Sequence, residues 1–181
     1  MSQDKNEIYH EKQRLQLCAL HSLNNLFQKE RFTKADLDQI VHKYDRSWCW
    51  NEYSSLFTGN YDLTILLDAL EGEGYTLRAI DKHESFEDFK FEQSRGLLLN
   101  TPLKRPILER IPFLRSITKP GRHWFTIVNL DGTFYNCDSN RKEAQSLGDR
   151  TGLIRYLEEL NRAEAYIYIV IHKDLIKEFE Q

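Results

Sequence analysis

Apolar residues recur with helical spacing in the first third of the chain and with strand spacing in most of the remainder. That change of period sets the expected architecture. Leu20, Leu23 and Phe27 share one face of a helix running from Leu17 to Phe27, and Ala19 and Leu26 widen that face into one suited to a central, buried helix. TKADLDQIVHKY predicts a second helix capped at Thr33, with Leu37, Ile40, Val41 and Tyr44 on one side. A third starts near Asp62 in DLTILLDALEGEG and ends at the glycines. From there YTLRAID, GLLLN, HWFTIVNL, TFYNCD and AYIYIVIH read as short strands. GLIRYLEELNR reads as an amphipathic helix behind an Asp149 or Thr151 cap, and KDLIKEFEQ as a terminal helix. Helices that come mainly first and strands that come mainly later predict an α+β domain on an antiparallel sheet.

Two stretches fit neither period. DRSWCWNEYSSLFTGN is aromatic and irregular, closed by Gly59-Asn60, and reads as a loop or the tip of a helical hairpin. Its Trp48, Cys49 and Trp50 suit core packing, a cap over a cleft or an exposed partner patch. TPLKRPILERIPFLRSITKPGR holds all four prolines and reads as a long basic connection, a candidate rim of a cleft or a solvated loop.

Composition narrows the function. The 181 residues favour one domain over 1–181, with about 31–60 as a helical arm or hairpin insertion. A net charge of −3 gives no global field for nucleic acid. No apolar run approaches the roughly 20 residues that span a bilayer. The N-terminus, MSQDKNEIYHEK, has no apolar core of a secretory signal. Three cysteines, Cys18, Cys49 and Cys137, with no CxxC pair, argue against a disulfide framework and point to the cytoplasm or nucleus.

Metal chemistry is disfavoured. HEKQR begins like an HExxH helix, but position 14 is Arg, and the six histidines are scattered. A thiol reading has more behind it. Cys18 stands where an irregular stretch becomes the central helix, and a helix N-terminus favours a thiolate and can help bind an oxyanion. Position alone leaves open whether Cys18 is a nucleophile or a small buried apolar side chain.

A nucleophilic Cys needs a base, and the base an orienting group. His21 lies three residues on, on the same helix face, but also reads as a satisfied core or rim histidine. His123 is better placed. If Asp131-Gly132 is a two-residue hairpin turn, Leu130 faces Thr133, Phe125 faces Asp138 and His123 faces Asn140. His123 and Asp138 are then diagonal neighbours on one sheet face, about 7–8 Å apart between backbones. Cys137 faces away from them, and a one-residue slip would separate the pair. Gln13, five residues before Cys18, could donate its side-chain amide to an oxyanion beside the Cys18 N–H. Asn24 and Asn25 lie deeper in the helix and read as partners of backbone or nearby loops.

IYHEKQRLQLCALHSLNNLFQ, with its Gln–x4–Cys–x2–His–x2–Asn-Asn spacing, and RHWFTIVNLDGTFYNCDS together resemble the Josephin family of deubiquitinases, in particular its short single-domain members. The resemblance covers nearly the whole chain. It implies a papain-like α+β fold, no cofactor, and hydrolysis of isopeptide or peptide bonds after the C-terminal glycines of ubiquitin. Position by position it implies Cys18 as nucleophile, His123 as base, Asp138 as orienting residue and Gln13 as oxyanion glutamine. Trp124 matches the aromatic after the base, which either shields the His–Asp hydrogen bond or packs in the core. The start of the third helix implicates Leu63 and Thr64 in contact with ubiquitin's apolar patch. Asp138 stands where some members have Asn, and no polyglutamine tract or ubiquitin-interacting helix follows. The expected partners are ubiquitin and ubiquitinated proteins, bound by a monomer with neither nucleic acid nor a membrane span. The rival readings are a catalytically silent or regulated ubiquitin-binding module, a protease for a ubiquitin-like modifier, and a thiol acyltransferase based on His21.

Overall fold

The computed structural model describes residues 8–14, 17–44, 61–103 and 121–179. The Trp48–Trp50 loop, the outer half of the expected arm and the basic connection from Lys104 lie outside them. Among the described residues the helices and strands are, in chain order, α1 (Cys18–Phe27), α2 (Lys34–Tyr44), α3 (Leu63–Gly72), β1 (Tyr75–Ala79), β2 (Gly96–Pro102), β3 (Arg122–Leu130), β4 (Thr133–Cys137), β5 (Gln145–Gly148), α4 (Arg150–Arg162), β6 (Tyr166–His172) and α5 (Ile176–Phe179). These six strands of the described residues form one sheet in the order β1-β6-β2-β3-β4-β5, and every neighbouring pair is antiparallel. The α+β architecture expected from the change of period is the one observed.

Strand alternation distributes the sheet between two cores. Leu98, Trp124, Val128, Cys137 and Val170 pack with α1 and α3 through Leu20, Leu23, Leu26, Ile65 and Leu66. Leu97, Leu99, Phe125, Ile127 and Ile169 pack on the other face with Leu153, Ile154 and Leu157 of α4. Cover on both faces explains why GLLLN and HWFTIV are continuous apolar runs rather than alternating ones.

Caps and turns follow local chemistry. Thr33 Oγ1 accepts from the Asp36 N–H at 3.3 Å while the Asp36 carboxylate accepts from the Thr33 N–H at 2.8 Å, a reciprocal cap that starts α2. Asp62 Oδ1 accepts from Thr64 and Ile65 N–H groups at α3. Asp149, not Thr151, caps α4 by accepting from Gly152 N–H. Asp131 (φ 51°) and Gly132 (φ 84°) both adopt the left-handed conformation that a type I′ hairpin turn needs.

Two local expectations are corrected. The terminal segment is a 3-10 turn at Lys173–Leu175 leading into the four-residue α5, shorter than the helix read from KDLIKEFEQ. Strand β5, an edge strand with two exposed and two half-buried residues, was not expected, because QSLG has neither alternation nor β-branching to reveal it. Among the described residues no helix is long and apolar enough to cross a membrane.

Candidate active site

Cys18 is the first residue of α1, and all ten residues of that helix are buried. The residue before it, Leu17, has no side chain that could cap the helix, and the first turn holds no acidic group. The leading N–H groups and the positive end of the helix dipole therefore meet at the thiol. Cys18 itself is 5% exposed. The opposite end is closed by Gln28 in the left-handed conformation.

The partner side chain comes from the sheet. In the β3–β4 ladder Leu130 faces Thr133 and Thr126 faces Cys137, the register expected from a two-residue turn. Continuing it by one residue brings Asp138 beside His123, whose Nε2 lies 2.7 Å from Asp138 Oδ1. A carboxylate can only accept, so Nε2 carries the proton and Nδ1 is left as the nitrogen for chemistry. The His123 ring also stacks on Phe125, 6.1 Å between centroids, and lies close enough to Cys18 for the two to interact electrostatically. Asp138 Oδ1 accepts in addition from the Asn140 N–H at 2.9 Å, and the Asn140 amide nitrogen stands 3.1 Å from His123 Nε2.

Electrostatics favour an ionised pair. Burial of His123 disfavours its cation, but the Asp138 hydrogen bond and the Cys18 contact outweigh this and raise its pKa from 6.5 to about 9. Burial likewise opposes the Asp138 charge, and the hydrogen bonds from His123 and the Asn140 N–H overcome it, holding the carboxyl below its usual range.

The alternatives weighed in the sequence find other employment. Cys137 is fully buried in the α1-side core, on the sheet face opposite His123, and burial pushes its thiol up to about 12. His21 has both ring nitrogens engaged: Nε2 accepts from the Arg14 N–H at 3.1 Å, so Nδ1 is protonated and donates to Glu11 Oε2 at 2.7 Å. It has no lone pair left to serve as base. Asn24 binds the loop after α1, through Phe32 O and the Arg31 and Phe32 N–H groups. Asn25 accepts from Glu11 N–H and donates to Cys137 O.

Gln13 lies on the strap that leads into α1. Its N–H donates to Ser139 O at 2.8 Å, and its Oε1 accepts from Ser139 Oγ at 3.1 Å. The strap is fastened by Glu11, whose carboxylate accepts from Tyr9 OH, His21 Nδ1 and Asn24 Nδ2. Sequence reasoning missed both anchors. Glu11 reads as half of a metalloprotease motif, and Ser139 has no pattern around it; only its position next to Asp138 hints at a role.

The other expected residues are more peripheral. Leu63 and Thr64 form the first turn of α3 and are half-buried, with Leu63 leaning on the α1-side core. Trp124 is 6% exposed and packs in that same core with its ring 6.1 Å from Tyr168. Of its two readings the structure places it in the core, with little surface left for a substrate.

The whole arrangement has relatives. A family model described as Josephin matches residues 13–171, from the strap glutamine to within β6. Josephin-2 of Homo sapiens is 33% identical over 171 residues, covering 93% of this chain and 88% of that protein. A Josephin-like protein of Drosophila melanogaster is 29% identical over 169 residues, covering 92% of this chain and 75% of that protein. Ataxin-3 of Homo sapiens is 27% identical over 187 residues, covering 93% of this chain but 46% of that protein. With one family model spanning most of its length and relatives matched almost end to end, the chain belongs to the Josephin family.

Proposed function

We propose that this chain is a thiol-dependent deubiquitinase that cleaves isopeptide or peptide bonds after the C-terminal glycine of ubiquitin. The observation that carries the reading is the His123–Asp138 hydrogen bond set beside Cys18, which interacts with His123 from an uncapped helix N-terminus, in a chain of the Josephin family.

The chemistry follows from the groups present. Cys18, as thiolate, attacks the scissile carbonyl carbon. The oxyanion that forms is held by the Cys18 N–H at the start of α1 and by the Gln13 side-chain amide. Protonated His123 gives its proton to the leaving amine, and a thioester remains on Cys18. Water then attacks with His123 as base, releasing the ubiquitin carboxylate and restoring the thiol. Asp138 keeps the His123 ring in one tautomer and orientation and stabilises its cation. Ubiquitin supplies a diglycine tail narrow enough for a cleft that side chains would block, and Leu63 and Thr64 in the first turn of α3 contact its apolar patch.

The test is steady-state hydrolysis of ubiquitin carrying a C-terminal fluorogenic amide. Turnover by the wild type, lost in Cys18→Ala and His123→Ala, is the expected result. A folded chain that binds ubiquitin without cleaving it would overturn the reading in favour of a silent binding module. Cleavage of a ubiquitin-like modifier alone would reassign the substrate.

A further inference from the structure

We infer that Ser139 is a positioning residue that aims the oxyanion donor Gln13, an inference that rests on the reading of Cys18 and Gln13 given above. Ser139 is 4% exposed and follows Asp138 directly. It makes two bonds to one residue: its carbonyl oxygen accepts from the Gln13 N–H at 2.8 Å, and its hydroxyl donates to Gln13 Oε1 at 3.1 Å. The first bond fixes the main chain of Gln13 and the second fixes the far end of its side chain. A glutamine has three rotatable side-chain torsions, and an oxyanion donor is effective only when held in place before charge develops. With Oε1 committed to Ser139, the NH2 group is the end of the amide turned to donate.

The same turn is tied to the strap at further points. His10 Nε2–H donates to Arg141 O at 3.1 Å. Asn25 links the two by accepting from Glu11 N–H at 2.7 Å and donating to Cys137 O at 3.0 Å. Two consecutive residues thus divide the work: Asp138 orients the base and Ser139 orients the oxyanion donor. The Asp138–His123 bond does not pass through Ser139, so loss of the hydroxyl should leave the ionisation of the base alone.

The experiment uses the fluorogenic ubiquitin amide and the isosteric pair Ser139→Thr and Ser139→Val, with melting curves to confirm that both fold. Ser139→Val is expected to lower kcat about tenfold or more with KM within about twofold, a partial loss of the roughly 10²–10³-fold that one oxyanion donor contributes. Ser139→Thr, which keeps the hydroxyl, is expected to restore most of it, and both limbs of the pH profile to stay in place. Adding Ser139→Val to Gln13→Ala is expected to cost nothing further, because the serine acts through the glutamine. Equal activity of the Thr and Val variants, or losses that multiply in the double variant, would overturn the positioning role while leaving the wild-type reaction intact. A wild type that does not turn over would overturn the reading of the site, and this inference with it.

Discussion

Asp138 Oδ1 lies 2.7 Å from Nε2 of His123, and the two residues meet because Asp131 and Gly132 close a turn of two residues and no other length. Against the effect of burial, the carboxylate and the neighbouring Cys18 together raise the His123 pKa from 6.5 to about 9, with the carboxylate hydrogen bond the larger contribution. The imidazolium is the form that protonates the leaving amine, so kcat/KM should fall as pH rises through that value. Asp138→Asn keeps an acceptor but removes the charge, and the basic limb of its pH profile is expected to move to lower pH. The same shift enters stability: the contribution of His123 is complete below pH 6.5 and is lost as pH rises through about 9. The wild-type Tm should therefore decline across that interval, and less steeply in Asp138→Asn. A basic limb that stays put in the variant would contradict the account.

His21 and His123 should separate cleanly on mutation. His123→Ala is expected to abolish turnover. His21→Ala should retain it within about tenfold while lowering Tm, since it removes the hydrogen bonds to the Glu11 carboxylate and from the Arg14 N–H, at about 1 kcal/mol each. Kinetics and thermal melts on the two variants check this. Turnover lost in His21→Ala but kept in His123→Ala would reassign the base.

The strap itself can be probed at Glu11. Its carboxylate accepts from Tyr9, His21 and Asn24, and their hydrogen bonds keep it ionised despite burial. Glu11→Ala leaves those donors without their common acceptor and should destabilise the fold by about 2–3 kcal/mol in denaturant melts. A change below about 0.5 kcal/mol would show that the strap is held some other way.

Packing between α1 and the sheet leaves no room at Gly96. A Cβ there would stand 2.6 Å from Ile127 O and 2.8 Å from Leu26 Cδ1, on a backbone with φ of 151°. Gly96→Ala is expected to cost about 2 kcal/mol or more, or roughly 5 °C in Tm. Gly72→Ala, with nothing within 4 Å of the new methyl, should be neutral or slightly stabilising. Equal melts for the two would contradict the packing.

The part of the site that could be read from the sequence is the part governed by local rules. A buried helix betrays itself by period, and the turn at Asp131-Gly132 fixes the register, which in turn brings Asp138 to His123. What could not be read depends on contacts between distant segments. Ser139 touches Gln13 only because the strap crosses the end of β4, and nothing in the spacing of residues 13 and 139 encodes that crossing. Glu11 and His10 pointed toward a metal motif by spacing alone, whereas in three dimensions Glu11 binds His21 and Asn24 on α1 and His10 reaches Arg141 O. Trp124 had two readings, and strand alternation at that position decides for the core. Strand β5 leaves no signal in the sequence because an edge strand of four residues is held by its neighbour, not by its own composition.

The central claim is that Cys18 is the nucleophile, and the most direct measurement is covalent labelling by a ubiquitin probe with a C-terminal electrophile, read by intact-protein mass. One adduct is expected on the wild type, none on Cys18→Ala, and undiminished adducts on Cys49→Ala and Cys137→Ala. Labelling that survives in Cys18→Ala, or a folded wild type that takes up no probe, would contradict it.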